Sequence, residues 1–232
     1  MTAYSANSLF TPAEYLELER SAETKSEYHN GVIVAMAGST EEHDLAIGDI
    51  YISIGAQLRG SQCKFYTDNM RVNVPECNCY YYPDASVACG EPQFQRIDGV
   101  QSLTNPILIV EVLSESTERF DRDRKFFCYQ TLPSLKTYIL VSQDEPLVQV
   151  FEKQSDSKWV FEHYEGLEAI VPLPSIGCEL KLADVYSRVE FKPEAENAAL
   201  RIMEERARYS EQGASGPAVG SQYEEVHSGS IR

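Results

Sequence analysis

The 232-residue chain reads as an α+β protein in three layers, with helices flanking one central mixed β-sheet. Helical and strand-like segments are mixed along its length, yet the order shows neither repeating βαβ units nor a Gly-rich nucleotide-binding fingerprint. The apolar fraction of 43% and charged fraction of 24% are those of a globular protein able to bury a substantial core, so one main domain is expected.

The first element is a short helix in "TPAEYLELER", where Thr11 can act as N-cap and Pro12 suits the first helical position. "SEYHNGVIVAMAG" predicts a turn at Asn30-Gly31 and a strand over Val32 to Met36, with a first hairpin arm before it. From Glu41 to about Gly60, Leu45, Ile47, Ile50, Ile54 and Leu58 recur at near-helical spacing behind acidic residues that favour a helix N-terminus. "CKFYTDNMRVNV" and "YYYPDASVAC" are β-rich and joined by the turn-like "PECN", whereas "EPQFQRIDGVQSLTNP" is polar and aperiodic and reads as a loop. "ILIVEVL" is the most strand-like run, bounded by Pro106 and "SEST". "TERFDRDRKFFCYQTL" reads as a helix stopped by Pro133, and "KTYILVSQ", "LVQVFEK" and "KWVFEHYE" as three strands that finish the core.

Beyond about Lys192 the composition shifts. "PEAENAALRIMEERARYSEQ" can form a polar helix, and the Gly- and Ser-rich remainder predicts disorder, so residues 1–192 are taken as the domain and 193–232 as a tail. The tail holds seven acidic and four basic residues, so most of the net charge of −16 belongs to the core. Such a surface should repel nucleic acid as a whole, which counts against a non-specific DNA coat. It leaves open a phosphodiester-cleaving cleft neutralised by a bound cation. No membrane-span-length apolar run and no basic stretch leading an apolar signal core are visible, which predicts a cytoplasmic protein. Of six scattered cysteines only "CNC" places two together, without a second pair at zinc-site spacing, so free thiols are expected.

Two carboxylates stand in segments that otherwise read as buried strands, Asp84 in "YYYPDASVAC" and Glu111 in "ILIVEVL". By strand alternation Ile107, Ile109, Glu111 and Leu113 share one face, so Glu111 interrupts an apolar row and needs a partner there. A divalent cation is one partner that makes two such groups useful together; a solvated strand end or an arginine is the ordinary one. Lys125 in "FDRDRKFF" has the i, i+4 spacing from Asp121 of a routine helix-surface ion pair. Tyr80, Tyr81 and Tyr82 suit packing as well as base stacking.

The segments "KSEYHNGVIVAMAGSTEEH", "YYPDASVA", "NPILIVEVLSEST" and "FDRDRKFFCYQTLPSLKTYILVSQ" resemble the Uma-type endonucleases, a family abundant in cyanobacteria and a branch of the PD-(D/E)XK restriction-endonuclease-like superfamily. The resemblance runs from about Phe10 to Phe191 and implies a restriction-endonuclease-like fold. In the superfamily pattern, an aspartate after proline and an acidic residue two before a lysine serve the metal. Pro83-Asp84 and Glu111 match, but Leu113 stands at the lysine position, and the resemblance assigns the lysine role to Lys125 on the next helix. Glu27 matches a family glutamate that can act as a further metal or water ligand, and His43 and Asp121 stand behind these residues.

The resemblance therefore implies an endonuclease in which Asp84, Glu111 and the Val112 carbonyl hold Mg²⁺, with Mn²⁺ as substitute, and Lys125 serves the attacking water or the phosphate charge. DNA is the implied substrate, and a homodimer is expected by analogy with nucleases that cut both strands. A non-catalytic binding or regulatory module of the same fold, and a phosphodiesterase acting on RNA or nucleotides, stay open at this point.

Overall fold

The computed structural model describes residues 9–191 apart from Ala37, Asp98, Glu115, Ser116 and Ser157, so the tail expected from residue 193 lies outside the described residues. Helix α1 (Pro12–Ser21) is started by a closed capping box. The Thr11 hydroxyl accepts the Glu14 N–H, and the Glu14 carboxylate accepts the Thr11 N–H. Strands β1 (Ser26–His29) and β2 (Val32–Ala35) form an antiparallel hairpin about Asn30 and Gly31, whose φ values of 45° and 98° are those a tight primed turn demands. Helix α2 (Glu41–Gln57) is capped by Thr40, carries Glu41, Glu42 and Asp44 in its first turn, and buries Ala46, Asp49, Ile50 and Ile54.

The chain then lays down β3 (Cys63–Thr67), β4 (Val72–Val74), a 3₁₀ turn over Pro75–Cys77, β5 (Cys79–Tyr81) and β6 (Ala85–Cys89). Next come β7 (Phe94–Ile97), β8 (Val100–Leu103) and β9 (Leu108–Leu113). After β9 a single helical run comprises α3 (Glu118–Phe120), a π-helical turn over Asp121–Lys125 and α4 (Phe126–Tyr129). The chain ends with β10 (Thr137–Ser142), β11 (Leu147–Ser155), β12 (Lys158–Glu165), the pair β13 (Ile170–Leu173) and β14 (Cys178–Lys181), and α5 (Leu182–Val185).

The central sheet has the order β12-β11-β10-β9-β6-β3, in which β9 and β10 pair in parallel and the other neighbours are antiparallel. A second six-stranded sheet, β2-β1-β5-β4-β8-β7, joins it where one sheet was expected. Part of the difference comes from "EPQFQRIDGVQSLTNP". It is not a loop but the β7–β8 hairpin, turning at Gly99 with φ 85°. Each four-residue arm sets two adjacent polar residues between apolar ends, Phe94 and Ile97 in one and Val100 and Leu103 in the other, so no two-residue alternation marks it as a strand. The β13–β14 pair and α5 likewise extend the core beyond the three expected final strands.

The central sheet separates two apolar clusters. On one face Leu108, Val110 and Val112 of β9 and Ile139 and Val141 of β10 pack against α2 and α5. On the other, Ile109, Leu113, Tyr138 and Leu140 meet the second sheet and α4. Glu111 follows Ile109 onto this second face, while Ile107, which precedes the strand, packs with the first cluster instead of extending the row. A β9–helix–β10 crossover must cover one sheet face, and here it covers the face that Glu111 occupies.

The cysteines depart from expectation: Cys63–Cys89 and Cys77–Cys128 are disulfide-bonded, and Cys79 and Cys178 are free. Cys63 and Cys89 lie directly opposite on β3 and β6, and Cys77 meets Cys128 across 51 residues of chain, so neither pair is legible as a local spacing. Tyr80, Tyr81 and Tyr82 are all buried packing residues. Arg71, also buried, donates to the Tyr15 and Tyr82 hydroxyls and lies over the Tyr15, Tyr80 and Tyr82 rings.

Burial pushes the Tyr15, Tyr81, Tyr129 and Tyr138 hydroxyls well above the ordinary phenol range. Their native values are raised, so their contribution to stability is fully present below the unfolded tyrosine pKa of about 10 and is lost as pH rises beyond it. An alkaline titration followed by tyrosinate absorbance should therefore show exposed tyrosines ionising near pH 10 and the buried set ionising only together with loss of the far-ultraviolet dichroism. Independent ionisation of all tyrosines in a folded chain would contradict this packing.

Candidate active site

The Lys125 ammonium is the centre of the polar cluster. It lies 3.1 Å from Glu27 Oε1, 3.3 Å from Glu111 Oε1 and 3.1 Å from Asp121 Oδ1. Three elements deliver these groups: β1 brings Glu27, β9 brings Glu111, and the π turn brings both Asp121 and Lys125. The Asp121–Lys125 pair does have its i, i+4 spacing, but it is no surface pair, since the side chains are only 3% and 8% exposed. An inserted π turn shifts the helical register and is a recurrent feature of functional sites. Because the helix returns over the Glu111 face of the central sheet, a lysine on it reaches the strand carboxylate that Leu113 of the strand itself does not serve.

Around this centre several further hydrogen bonds form, while the buried Asp121 Oδ1 has, among the described residues, only the Lys125 ammonium near it and no hydrogen bond of its own. The Tyr129 hydroxyl donates to Glu111 Oε1 at 3.2 Å, the Tyr138 hydroxyl donates to the Asp121 carbonyl, and the Tyr82 N–H donates to Glu27 Oε1 at 2.9 Å. The Lys125 ammonium also lies 5.7 Å from the centre of the Tyr81 ring. Sequence reading missed Tyr129, although Asp121, Lys125 and Tyr129 recur at i, i+4 and i+8 and so share one helix face.

Asp84 precedes β6. Ala85 pairs with Val110, and one further step along that register sets Asp84 opposite Glu111. Where the β6–β9 ladder ends, Asp84 Oδ2 accepts the Val112 N–H at 2.6 Å, so it is the amide of Val112 that the carboxylate engages. His43, in the first turn of α2, brings Nε2 to 3.5 Å from Asp84 Oδ2, while its backbone N–H donates to the Thr40 cap. Tyr51 of α2 donates to the Asp84 carbonyl at 2.7 Å. Asp84 is thus held from the α2 side at the end of β6, and Glu111 from the helical crossover side.

Burial, assisted by the neighbouring charges of Asp121, Asp84 and Glu27, pushes the Glu111 carboxyl well above its usual range despite the opposing pull of Lys125. Burial alone would lower the Lys125 pKa, but Glu111, Glu27 and Asp121 together outweigh it and hold the ammonium charged. His43 behaves alike: burial lowers it, and hydrogen bonding and charge from Asp84 raise it overall. Carboxylates outnumber cations in the cluster, and their oxygens are hard donors of the kind that suit Mg²⁺ or Mn²⁺.

The fold defined by these sheets is that of a restriction-endonuclease-like protein. It superposes with a TM-score of 0.63 on the crystal structure of "a putative nuclease belonging to DUF820" from Anabaena variabilis ATCC 29413, at 21% identity, covering 78% of this chain and 99% of that one. The family model "Uma2: Putative restriction endonuclease" matches residues 12–183, and the chain belongs to that family. Among its relatives are two proteins of Synechocystis sp. (strain ATCC 27184 / PCC 6803 / Kazusa). The uncharacterized protein sll1609 is 32% identical over 169 residues, 73% of this chain and 95% of the relative; the uncharacterized protein slr1290 is 31% identical over 194 residues, 82% of this chain and all of the relative. No helix among the described residues is long and apolar enough to cross a membrane.

Replacing Lys125 by Met removes the cation from two buried carboxylates and the partly buried Glu27, and should destabilise the chain by about 3–5 kcal/mol in urea unfolding at neutral pH. Adding Glu111→Gln to that variant should restore part of the loss, and the loss should shrink as the pH falls and the unpaired carboxyls take up protons. A Lys125→Met protein as stable as the parent would show that the cluster carries no coupled charge.

Proposed function

We propose that this Uma2 member is a metal-dependent endonuclease that hydrolyses phosphodiester bonds of DNA. The observation that supports this most directly is the meeting of Lys125 with Glu111 and Glu27 beside Asp84, at one end of the β6–β9 pair. Asp84 and Glu111 would hold Mg²⁺, with the Val112 carbonyl as a further oxygen ligand. When bound, the ion would acidify a water and offset charge on a phosphate oxygen.

The chain's own groups have separate tasks. Lys125 directs N–H donors toward the attacking water or the phosphate oxygens, and its burial makes each donor stronger than it would be in water. Glu27 lies within hydrogen-bond reach of Lys125 and can orient that ammonium or accept a proton from water. Asp121 pairs with the other side of Lys125, and the π turn fixes both on one face of the helix. His43 and the Val112 N–H hold the Asp84 carboxylate in position.

The net charge of −16 argues for a cleft neutralised by metal rather than a broadly basic DNA surface. Cutting both strands of a duplex would require a homodimer, which we propose as the active form.

Purified protein should nick or linearise supercoiled plasmid with Mg²⁺ or Mn²⁺ and lose that activity in EDTA. Asp84→Ala, Glu111→Ala and Lys125→Ala should each lower the rate by on the order of 10² or more, with the fold checked by circular dichroism and with Glu111→Gln as the isosteric control. Cleavage that survives EDTA, or full activity in all three variants, would overturn the proposal. A parallel panel of linear DNA, single-stranded DNA and RNA tests the substrate class, and preferential RNA cleavage would count against DNA.

A further inference from the structure

A second cluster of metal-binding side chains lies outside the carboxylate site. His29 ends β1, Cys79 opens β5, and Cys128 lies on α4. Their ligand atoms all fall within 4.8 Å of one another, and His29 Nδ1 is 3.1 Å from Cys79 Sγ. Cys77 joins them through its bond to Cys128, and Cys79 Sγ is 3.1 Å from the Cys77 carbonyl. Cys79 and Cys128 are buried.

We propose that, once the Cys77–Cys128 bond is reduced, His29, Cys77, Cys79 and Cys128 form a closed Cys₃His site for a soft divalent cation, Zn²⁺ above all. Thiolate and imidazole donors select zinc over the hard ions suited to Asp84 and Glu111. With a zinc–sulfur bond of about 2.3 Å, tetrahedral ligands stand about 3.8 Å apart. His29, Cys79 and Cys128 already lie within reach of that spacing, and reduction frees the Cys77 sulfur to move off Cys128 and take the fourth position. Asn78, in the left-handed conformation with φ 52°, turns the chain between Cys77 and Cys79. The Tyr81 hydroxyl, which hydrogen-bonds to His29 Nδ1, would release that nitrogen to the metal.

The disulfide and the metal compete for the same sulfurs. A dithiol reductant supplies two electrons and two protons to the Cys77–Cys128 bond and becomes a disulfide itself. Three thiol protons, from Cys77, Cys79 and Cys128, then leave as Zn²⁺ binds. The ion would tie together three segments adjoining the carboxylate site: β1 two residues after Glu27, β5 shortly before Asp84, and the helix three residues after Lys125.

The test uses the full chain in an Asp84→Ala/Glu111→Ala background, which removes the hard-ion residues and makes the result independent of nuclease activity. Protein reduced with a dithiol, stripped with EDTA and desalted without oxygen is titrated with Zn²⁺ against a chromophoric chelator and weighed by native mass spectrometry. We expect one tightly held zinc in the reduced protein and none in the oxidised one. Cys79→Ser and His29→Ala should weaken binding at least about tenfold, and Cys178→Ser should leave it unchanged.

Cobalt substitution reads the same site without altering any cysteine: intense visible bands of tetrahedral cobalt thiolate support it even where a ligand variant fails to fold. A weak octahedral cobalt spectrum, or zinc binding untouched in both folded ligand variants, overturns the proposal.

Discussion

The buried ammonium of Lys125 is the charge about which the polar half of this molecule is organised. Glu27, Glu111 and Asp121 approach it from a hairpin, a central strand and its own helix, so separate parts of the chain share one counter-ion. Burial of an unpaired carboxylate costs several kcal/mol, and the tyrosines packed around the cluster leave little water to offset it. The cluster therefore constrains how the second sheet and the helical crossover sit on the central sheet. The surplus of carboxylates that remains is also what the proposed divalent cation would bind.

The crossover explains how a lysine of the following helix can reach Glu111. In β9 the residue two after Glu111 is Leu113, which packs in the apolar cluster under α4. Sheet alternation sends Glu111 and Leu113 to the same face, and the β9–β10 crossover lays its helix over that face. The π turn then places Asp121 and Lys125 inward together. Strand and helix are different routes to one point in space, and only the position of the ammonium matters for its electrostatics. Asp84 is held independently, by the Val112 N–H and by His43 of α2.

Next to this charged centre lies a cluster of softer donors. A chain of contacts links the two: Cys79 Sγ lies against His29 Nδ1, His29 Nδ1 hydrogen-bonds to the Tyr81 hydroxyl, and Lys125 lies over the Tyr81 ring. The two clusters differ in donor chemistry, oxygen in one and sulfur and nitrogen in the other, so the ions we propose for them would belong to different classes. Their adjacency follows from β1 and β5 being neighbours in the second sheet while α4 packs beneath them.

Features that depend on a few adjacent residues were legible in the amino-acid order. Thr11-Pro12 with Glu14 starts α1, Asn30-Gly31 turns the hairpin, and "LIVEVL" forms a fully buried strand, because capping, positive φ and apolar runs act locally. Asp84 and Glu111 were legible as carboxylates out of place, and Lys125 through family resemblance, since its local spacing from Asp121 predicts only a surface pair. The β7–β8 hairpin was hidden because each arm sets paired polar residues between apolar ends and so lacks strict alternation, and the cysteine pairs because their partners lie 26 and 51 residues apart. Sequence by itself determined the fold class, the family and the carboxylates that need partners. Tertiary structure alone decided which groups share Lys125, and which cysteines meet His29, because those approaches depend on how two sheets and a crossover helix pack.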